Sequence, residues 1–252
     1  MFSNLLEINS AEEEKKIVQF LKTVFAEQKI EKAVVGISGG VDSATSLTLI
    51  SKVLPRENII AIHLPYFDNT DSDVDALSKS LGISIENISI KEMTDKLTAE
   101  LNIPQDDQVR RGNVMARVRM IALYDIAKKN NALVVGTENR SEFQLGYFTR
   151  FGDEASDIEP LQHLYKTQLI ELAKHLGLPD SIINNPPSAN LWENQTDEGE
   201  FGFTYQEADP VLYLYFDKKN PLWTIESMNP GAKKIIEFAE KNQFKHRVPY
   251  HL

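Results

Sequence analysis

Four short apolar runs, separated by segments with helical patterns, constrain the fold of this chain more than any other feature of its sequence. The runs occupy residues 32–37, 58–66, 83–90 and 132–137. Helices are predicted between them over residues 44–54, 73–82 and 106–131. Parallel strands need crossover connections, usually helices, which cover both faces of the sheet. The sequence therefore predicts an α/β fold with a doubly wound, mostly parallel sheet and helices on both faces.

The segments outside this alternation carry weaker signals. Ser10 and Glu13 have the spacing of a capping box, which predicts a first helix at Ser10. Another helix is predicted over residues 165–177, and the pair Asn229-Pro230 predicts the start of the last one. Residues 179–204 read as irregular, and connections of this length are usually functional or mobile, so this segment is a candidate lid. We predict a single domain over residues 1–252.

The acidic run at residues 68–75 invites comparison with a calcium-binding loop. It lacks the glycine and the final glutamate that such a loop requires. We interpret it as a loop that leads into the helix predicted over residues 73–82.

The charge balance limits the partners of the chain. Lysine and arginine number 27 against 37 aspartates and glutamates, for a formal net charge of -10, so no basic field gathers nucleic-acid phosphates. No segment approaches the ~18 consecutive apolar residues of a membrane span, and no signal-peptide pattern is visible. The absence of cysteine excludes a cysteine nucleophile and thiolate metal sites in this chain. We expect a cytoplasmic protein that binds small molecules, with no nucleic-acid or membrane partner.

The stretch GISGGVDS, residues 36–43, follows the first predicted strand and leads into a helix. Glycines at this position let backbone N–H groups approach an anion, and the helix N-terminus adds its dipole. The letters fit neither a Walker A loop nor G-x-G-x-x-G. The carboxylate of Asp42 would repel a phosphate unless a divalent cation lies between them, which favours magnesium. The structural alternative is a tight turn in which Asp42 or Ser43 caps the helix.

In this context, SGGVDS resembles the pyrophosphate loop of the ATP pyrophosphatases, which cleave ATP between the α and β phosphates and adenylate a substrate. Longer stretches resemble the ammonia-dependent NAD synthetases, namely residues 112–127, 134–161, 164–179 and 186–209. The resemblance covers almost the whole chain and implies the adenine nucleotide α-hydrolase-like form of the α/β fold. It further implies that ATP and magnesium serve to adenylate the nicotinate carboxylate of deamido-NAD, after which ammonia displaces AMP.

The resemblance also implies roles for residues at matching positions. Asp42 and Glu142 would hold Mg²⁺, Lys166 would act in catalysis, and Asp153 would hold or deprotonate ammonium. Contacts with ATP are implied for Gly36, Ile37, Ser38, Gly39, Gly40, Val41, Asp42, Ser43, Thr137, Lys166 and Ser188. Contacts with deamido-NAD are implied for Arg117, Arg150, Asp157, Phe244 and Lys245.

The resemblance further implies a homodimer with the deamido-NAD site near the interface, and a lid drawn from residues 192–205. Two positions depart from the family pattern. Arg150 stands where lysine is common, which keeps the charge but changes its geometry, and Phe244 stands where many members have histidine.

Two other hypotheses stay open on the sequence. One is a different adenylating enzyme with the same loop, such as a tRNA modifier, although a basic surface or cysteine chemistry would then be expected. The other is a regulatory module that binds a nucleotide without turnover. Binding of ATP without release of pyrophosphate would favour the module, whereas the paired acids Asp42 and Glu142 favour metal-assisted chemistry.

Overall fold

The computed structural model describes residues 5–67 and 72–251. Its sheet has four parallel strands in the order β3-β2-β1-β4. The strands are β1 (Lys32–Ile37), β2 (Ile59–His63), β3 (Ile85–Asn87) and β4 (Ala132–Val135). Strand β1 lies between β2 and β4. The chain therefore adds β2 and β3 on one side of β1 and then crosses to the other side to add β4. The predicted α/β fold with a parallel sheet is confirmed.

Twelve α-helices surround this sheet in the described residues. They are α1 (Ser10–Gln28), α2 (Val41–Ile50), α3 (Ser72–Leu81), α4 (Lys91–Glu100), α5 (Gln108–Asn130), α6 (Arg140–Leu145), α7 (Lys166–His175), α8 (Asp180–Ile183), α9 (Asp197–Phe201), α10 (Tyr205–Leu212), α11 (Leu222–Met228) and α12 (Ala232–Asn242).

Both faces of the sheet are buried, as a doubly wound fold requires. Alternate side chains of a strand point to opposite faces, and β1 follows this rule. Ala33, Val35 and Ile37 join the apolar cluster formed with α1, α2 and α7. Val34 joins the cluster on the other face, to which α5 contributes Met115 among others. A third, aromatic-rich cluster holds α6, α10, α11 and α12 together at one side of the sheet.

Helix α1 begins at Ser10 as predicted, but its cap and the start of the second helix differ from the prediction. The first helix is capped by Asn9, whose side chain accepts a hydrogen bond from the Glu12 backbone, so the predicted capping box at Ser10 does not form. Asparagine caps at least as well as serine, and both residues precede a glutamate by three positions. The second helix begins three residues earlier than predicted, at Val41, because the loop glycines lead directly into it.

Other differences concern missing or displaced helices. Helix α4 was not predicted, and it precedes α5 as a separate element. The last long helix begins at Ala232, after the turn at Asn229 and Pro230. The segment expected to be irregular contains the short helices α8 and α9. The predicted loop at residues 68–75 falls partly outside the described residues, and α3 begins at Ser72.

Candidate active site

A cavity of about 920 Å³ opens at the carboxyl ends of β1, β2 and β4. This is where ligands bind in open α/β sheets, next to a change in strand order. The glycine-rich loop, part of α5 and residues 185–194 all contribute to the lining of this cavity. Part of the predicted lid segment therefore borders the cavity.

Serine hydroxyl groups shape the glycine-rich loop. Gly39 has a φ of 86°, a conformation that favours glycine. The Ser43 hydroxyl accepts a hydrogen bond from the Ser38 backbone N–H at 3.1 Å, and the Ser38 hydroxyl accepts one from the Gly40 N–H at 3.2 Å. Two of the N–H groups that could face an anion are thus held by small, rotatable hydroxyl groups.

Asp42 does not cap α2, contrary to the structural alternative. Its oxygen Oδ2 lies 2.5 Å from the Lys166 Nζ, and its Oδ1 accepts a hydrogen bond from the Asn139 amide at 2.8 Å. Gly40, the residue at the N-cap position, makes no side-chain capping bond. The carboxylate of Asp42 therefore bonds to other residues that surround the cavity and does not cap its own helix.

Lys166 lies between two carboxylates from different elements. Its ammonium group is 2.5 Å from Asp42 and 3.7 Å from Glu142, and its side chain is only 2% exposed. Burial alone would lower the pKa of Lys166, but the charges of Asp42 and Glu142 outweigh it and raise the pKa. Lys166 is therefore a buried cation that lines the same cavity as the glycine-rich loop.

Glu142 and its neighbour Asn139 are fixed by the start of α6. The Asn139 side chain accepts a hydrogen bond from the Glu142 N–H at 3.0 Å, and the Glu142 carboxylate accepts one from the Asn139 N–H at 3.2 Å. This reciprocal capping box sets the direction of both side chains. Burial and the charge of Asp42 raise the pKa of Glu142, while Lys166 opposes them.

The residues at this end of the cavity fit a magnesium ion. The positive charge of Lys166 interacts with three carboxyl groups, those of Asp42, Glu142 and Asp197. The Oδ1 atom of Asp197 is buried and has no hydrogen-bond partner among the described residues. No cage of three or more metal-ligating side chains exists in residues 5–67 and 72–251. Mg²⁺ usually takes one or two carboxylates together with substrate phosphates. Two carboxylates beside a phosphate loop match that donor set.

A second pair of acids lies beside β4, of which Glu138 is buried and Glu159 is partly exposed. The Glu138 carboxyl is held by the Gln162 amide at 2.7 Å, and its Oε1 has no partner among the described residues. The Glu159 carboxyl accepts a hydrogen bond from the Glu138 N–H at 3.1 Å. Burial raises the pKa of Glu138 and of Glu159 to about 8 each. Both are protonated in the folded protein well above the pH at which a free glutamate ionises.

We expect Glu138→Gln to stabilise the protein selectively at high pH. The folded state binds the Glu138 proton more tightly than the unfolded state, so wild-type stability falls as pH rises from about 4.5 to about 8. Glutamine can still accept from Gln162 and does not ionise. The Tm should exceed that of the wild type by several degrees at pH 9, at roughly 2–4 °C per kcal/mol, and by much less at pH 6.

Thermal unfolding at both pH values tests this, with Glu171→Gln, an exposed position on α7, as the matched control. Equal changes in Tm for the Glu138→Gln variant at pH 6 and pH 9 would contradict the raised pKa of Glu138.

The remaining residues predicted for ATP and ammonium also line the cavity. Thr137 follows β4, and Ser188 lies in the segment of residues 185–194, where its hydroxyl accepts a hydrogen bond from the Asn190 N–H at 3.1 Å. The Asp153 carboxylate accepts from the Thr149 N–H at 2.9 Å, and the residue is open to the cavity. Desolvation raises the pKa of Asp153, against the hydrogen bond from Thr149 and the charge of Arg119.

The residues predicted to bind deamido-NAD lie outside this cavity. The Arg117 guanidinium donates to the Arg150 carbonyl at 3.2 and 3.3 Å, and the Arg150 guanidinium lies 5.1 Å from the Phe244 ring centre. The Lys245 ammonium donates to the carbonyls of Gly146 and Phe148 at 2.6 and 2.9 Å.

Asp157 has a structural contact as well. Its Oδ2 accepts a hydrogen bond from the Val134 N–H at 2.8 Å. The carboxylate of Asp157 and the ammonium of Lys245 thus each have protein partners in this structure.

Sequence reasoning missed several residues of the site. Asp197 and Tyr205 lie beside Lys166, with the Tyr205 hydroxyl donating to Asp197 at 2.9 Å and its ring centre 5.4 Å from the lysine nitrogen. Asn139 was missed although its spacing to Glu142 is that of a capping box. Asp209, which is buried behind the site, had no local signal.

The fold and the loop define the class of this protein as a nucleotide-binding α/β protein of the adenine nucleotide α-hydrolase type. The family model described as NAD synthase matches residues 13–249. The chain belongs to the NAD synthase family.

Similar proteins agree with this assignment. The chain is 43% identical over 238 residues to a protein of Thermococcus kodakarensis named NH(3)-dependent NAD(+) synthetase, covering 90% of this chain and 93% of the relative. The structure of an NMN synthetase from Francisella tularensis matches with a TM-score of 0.84 and 34% identity, covering 98% and 99% of the two chains. An NH3-dependent NAD synthetase from Campylobacter jejuni matches with a TM-score of 0.81 and 28% identity, covering 98% and 100%.

Proposed function

We propose that this protein is a ligase that converts deamido-NAD to NAD, using ATP and ammonia, through an adenylated carboxylate. Membership of the NAD synthase family supports the reaction. The observation that carries the proposal is the buried Lys166 between Asp42 and Glu142, beside the glycine-rich loop. A free carboxylate is a poor electrophile, so a site that activates it must first stabilise charge on the α-phosphate of ATP.

Each part of the cavity has a task in this reaction. The loop of residues 36–43 would hold the phosphates through its N–H groups and serine hydroxyls, with Thr137 and Ser188 contacting the rest of ATP. Lys166 would stabilise the negative charge that develops on the α-phosphate when the carboxylate attacks, as a fixed cation in a desolvated site can. Bond formation between carboxylate and phosphorus releases pyrophosphate.

Asp42 and Glu142 are the residues that would hold Mg²⁺. When bound, the ion would neutralise phosphate oxygens and reduce their repulsion of the attacking carboxylate. The ammonium group of Lys166 already balances part of the carboxylate charge at this end of the cavity.

The second half-reaction needs neutral ammonia, and Asp153 is its proposed partner. Ammonium is attracted by the carboxylate of Asp153, which lines the cavity. Transfer of a proton from ammonium to this carboxylate would leave NH3 to attack the acyl carbon, forming the amide and releasing AMP. Its raised pKa makes the Asp153 carboxylate a better proton acceptor than an aspartate with the ordinary pKa.

The dinucleotide is proposed to extend from the cavity onto the surface that carries Arg117, Arg150, Asp157, Phe244 and Lys245. Ile121, Phe151 and Phe244 are 58%, 55% and 47% exposed. A contiguous apolar patch formed by such residues would mark a subunit interface, and we propose a homodimer with the deamido-NAD site near that interface. We also propose a single domain and a cytoplasmic location. No helix within residues 5–67 and 72–251 could cross a membrane.

The test is to incubate the purified protein with ATP, magnesium, deamido-NAD and ammonium and to follow NAD through its reduction by alcohol dehydrogenase. We expect NAD formation, and its loss in Asp42→Asn. A folded protein that binds ATP but releases no pyrophosphate would support a regulatory module instead. Pyrophosphate release without NAD would indicate a different acceptor.

A second candidate substrate is the mononucleotide. The similarity to a structure named NMN synthetase, with a TM-score of 0.84, favours testing nicotinic acid mononucleotide as the acceptor. The departure at Phe244 lies in the region expected to contact the dinucleotide. Comparison of kcat/KM for the two acceptors decides between them, and a higher value for deamido-NAD is expected.

A further inference from the structure

The carboxylate of Asp209 links the starts of two helices that carry residues of the site. Asp209 belongs to α10, is fully buried, and has no part in the proposed chemistry. Its Oδ2 accepts a hydrogen bond from the Thr167 N–H at 2.9 Å, and its Oδ1 accepts one from the Ser141 hydroxyl at 2.6 Å. The Ser141 oxygen in turn accepts from the Lys166 N–H at 2.8 Å.

These bonds occupy free N–H groups that every helix leaves at its N-terminus. Lys166 and Thr167 are the first two residues of α7, and Ser141 is the second residue of α6. A negative charge at this point also interacts favourably with the helix dipole. One carboxylate thus fixes the first turn of α7 and ties it to the first turn of α6.

The hydrogen bonds of Asp209 affect the cavity because they fix the backbone from which the Lys166 and Glu142 side chains extend. Lys166, at the start of α7, contacts the Asp42 carboxylate. At the start of α6, Asn139 donates a hydrogen bond to the same carboxylate, and Glu142 lies 3.7 Å from the Lys166 ammonium group. A shift of either helix start changes the distances among the three charged groups. Helix α10 packs against both α6 and α7, which makes it a fixed support.

We infer that Asp209 is a positioning residue for adenylation, which holds Lys166 in register with Asp42 and Glu142 through Thr167 and Ser141. Burial raises the pKa of Asp209 to about 6, so the group is ionised at neutral pH and bonds as an anion. The inference rests on the proposed function for its kinetic effect, whereas the placement of Lys166 can be measured without turnover.

The test compares Asp209→Asn with Thr204→Ala. Thr204 caps the same helix, α10, but touches neither α6 nor α7 through its capping bonds, so its loss weakens α10 alone. The side-chain oxygen of asparagine can still accept the hydrogen bond from the Thr167 N–H. Its NH2 group then faces the Ser141 hydroxyl, which can no longer donate there and must rotate. We expect Asp209→Asn to slow deamido-NAD-dependent ATP–pyrophosphate exchange roughly 10- to 100-fold, as small misplacements of reacting groups do.

The KM for ammonium should change less than twofold, because the second half-reaction does not use this contact. Thr204→Ala should lower Tm with little effect on exchange. Equal exchange rates in Asp209→Asn and Thr204→Ala would overturn the inference, since the effect would then follow stability alone.

A second readout is the acetylation of Lys166 by a small reagent, followed by mass spectrometry. We expect several-fold faster labelling of Lys166 in Asp209→Asn than in Thr204→Ala, with Lys174 on the same helix as internal reference. Unchanged labelling would overturn the inference even if the wild type proved inactive with deamido-NAD, an outcome that would refute the proposed function separately. If Asp209→Asn does not fold, Ser141→Ala, which removes only the linking hydroxyl, decides by the same two measurements.

Discussion

Lys166→Ala is expected to reduce the rate of deamido-NAD adenylation by about 10²–10³-fold, the usual effect of removing one preorganised group that stabilises a transition state. Lys166 is the cation nearest to Asp42 in the cavity and is fixed in place by both carboxylates. Its loss leaves Asp42 and Glu142 facing each other without compensation. The rate of ATP–pyrophosphate exchange with deamido-NAD measures the effect directly.

The matched control is Lys174→Ala on the same helix. Lys174 is 54% exposed and forms a salt bridge with Glu171 at 2.7 Å, so its removal tests whether any lysine of α7 matters. Exchange should stay within twofold of the wild type in this control. If Lys166→Ala kept more than a tenth of wild-type exchange, the lysine would have a structural role alone.

Glu142→Gln is expected to raise the magnesium concentration needed for half-maximal adenylation by at least about tenfold, since even residues behind a metal ligand contribute 10–100-fold to affinity. Glutamine is the other residue that completes a capping box, so the start of α6 stays intact. The substitution therefore removes charge from the metal site without removing the cap. Titration of Mn²⁺ with ATP present, followed by paramagnetic resonance, gives the metal affinity independently of turnover.

The matched control is Glu207→Gln, which makes the same substitution at the third residue of another helix, α10. Glu207 completes the capping box of α10 with Thr204. Its variant should bind Mn²⁺ as the wild type does. A normal metal affinity in Glu142→Gln would remove Glu142 from the proposed site and leave Asp42 as its protein ligand.

The sequence carried strong information about residues that follow strands. The loop after β1 and Thr137 after β4 could be placed at one edge of the sheet because parallel strands present their carboxyl ends together. The structure brings these residues, Glu142 and Lys166 to one cavity, while their roles in catalysis stay predictions. The parallel order itself followed from the alternation of strands and helices.

Contacts between distant segments could not be read from local patterns. Asp209 looks like any polar residue in a helix, and its importance appears only when α10 packs behind α6 and α7. Lys245 is predicted to contact deamido-NAD, and no local pattern indicates that its ammonium group donates to the carbonyls of Gly146 and Phe148, which follow α6. Ser10 and Asn9 differ too little as caps for sequence alone to choose between them.

The order of these elements along the chain has a consequence for biosynthesis. All four strands of the described sheet lie between Lys32 and Val135, whereas the buried support of Lys166 comes with Asp209. The strands are therefore synthesised well before the residue that fixes the first turn of α7. The end of the cavity at Lys166, Asp42 and Glu142 can be completed only after the segment that carries Asp209 has been made.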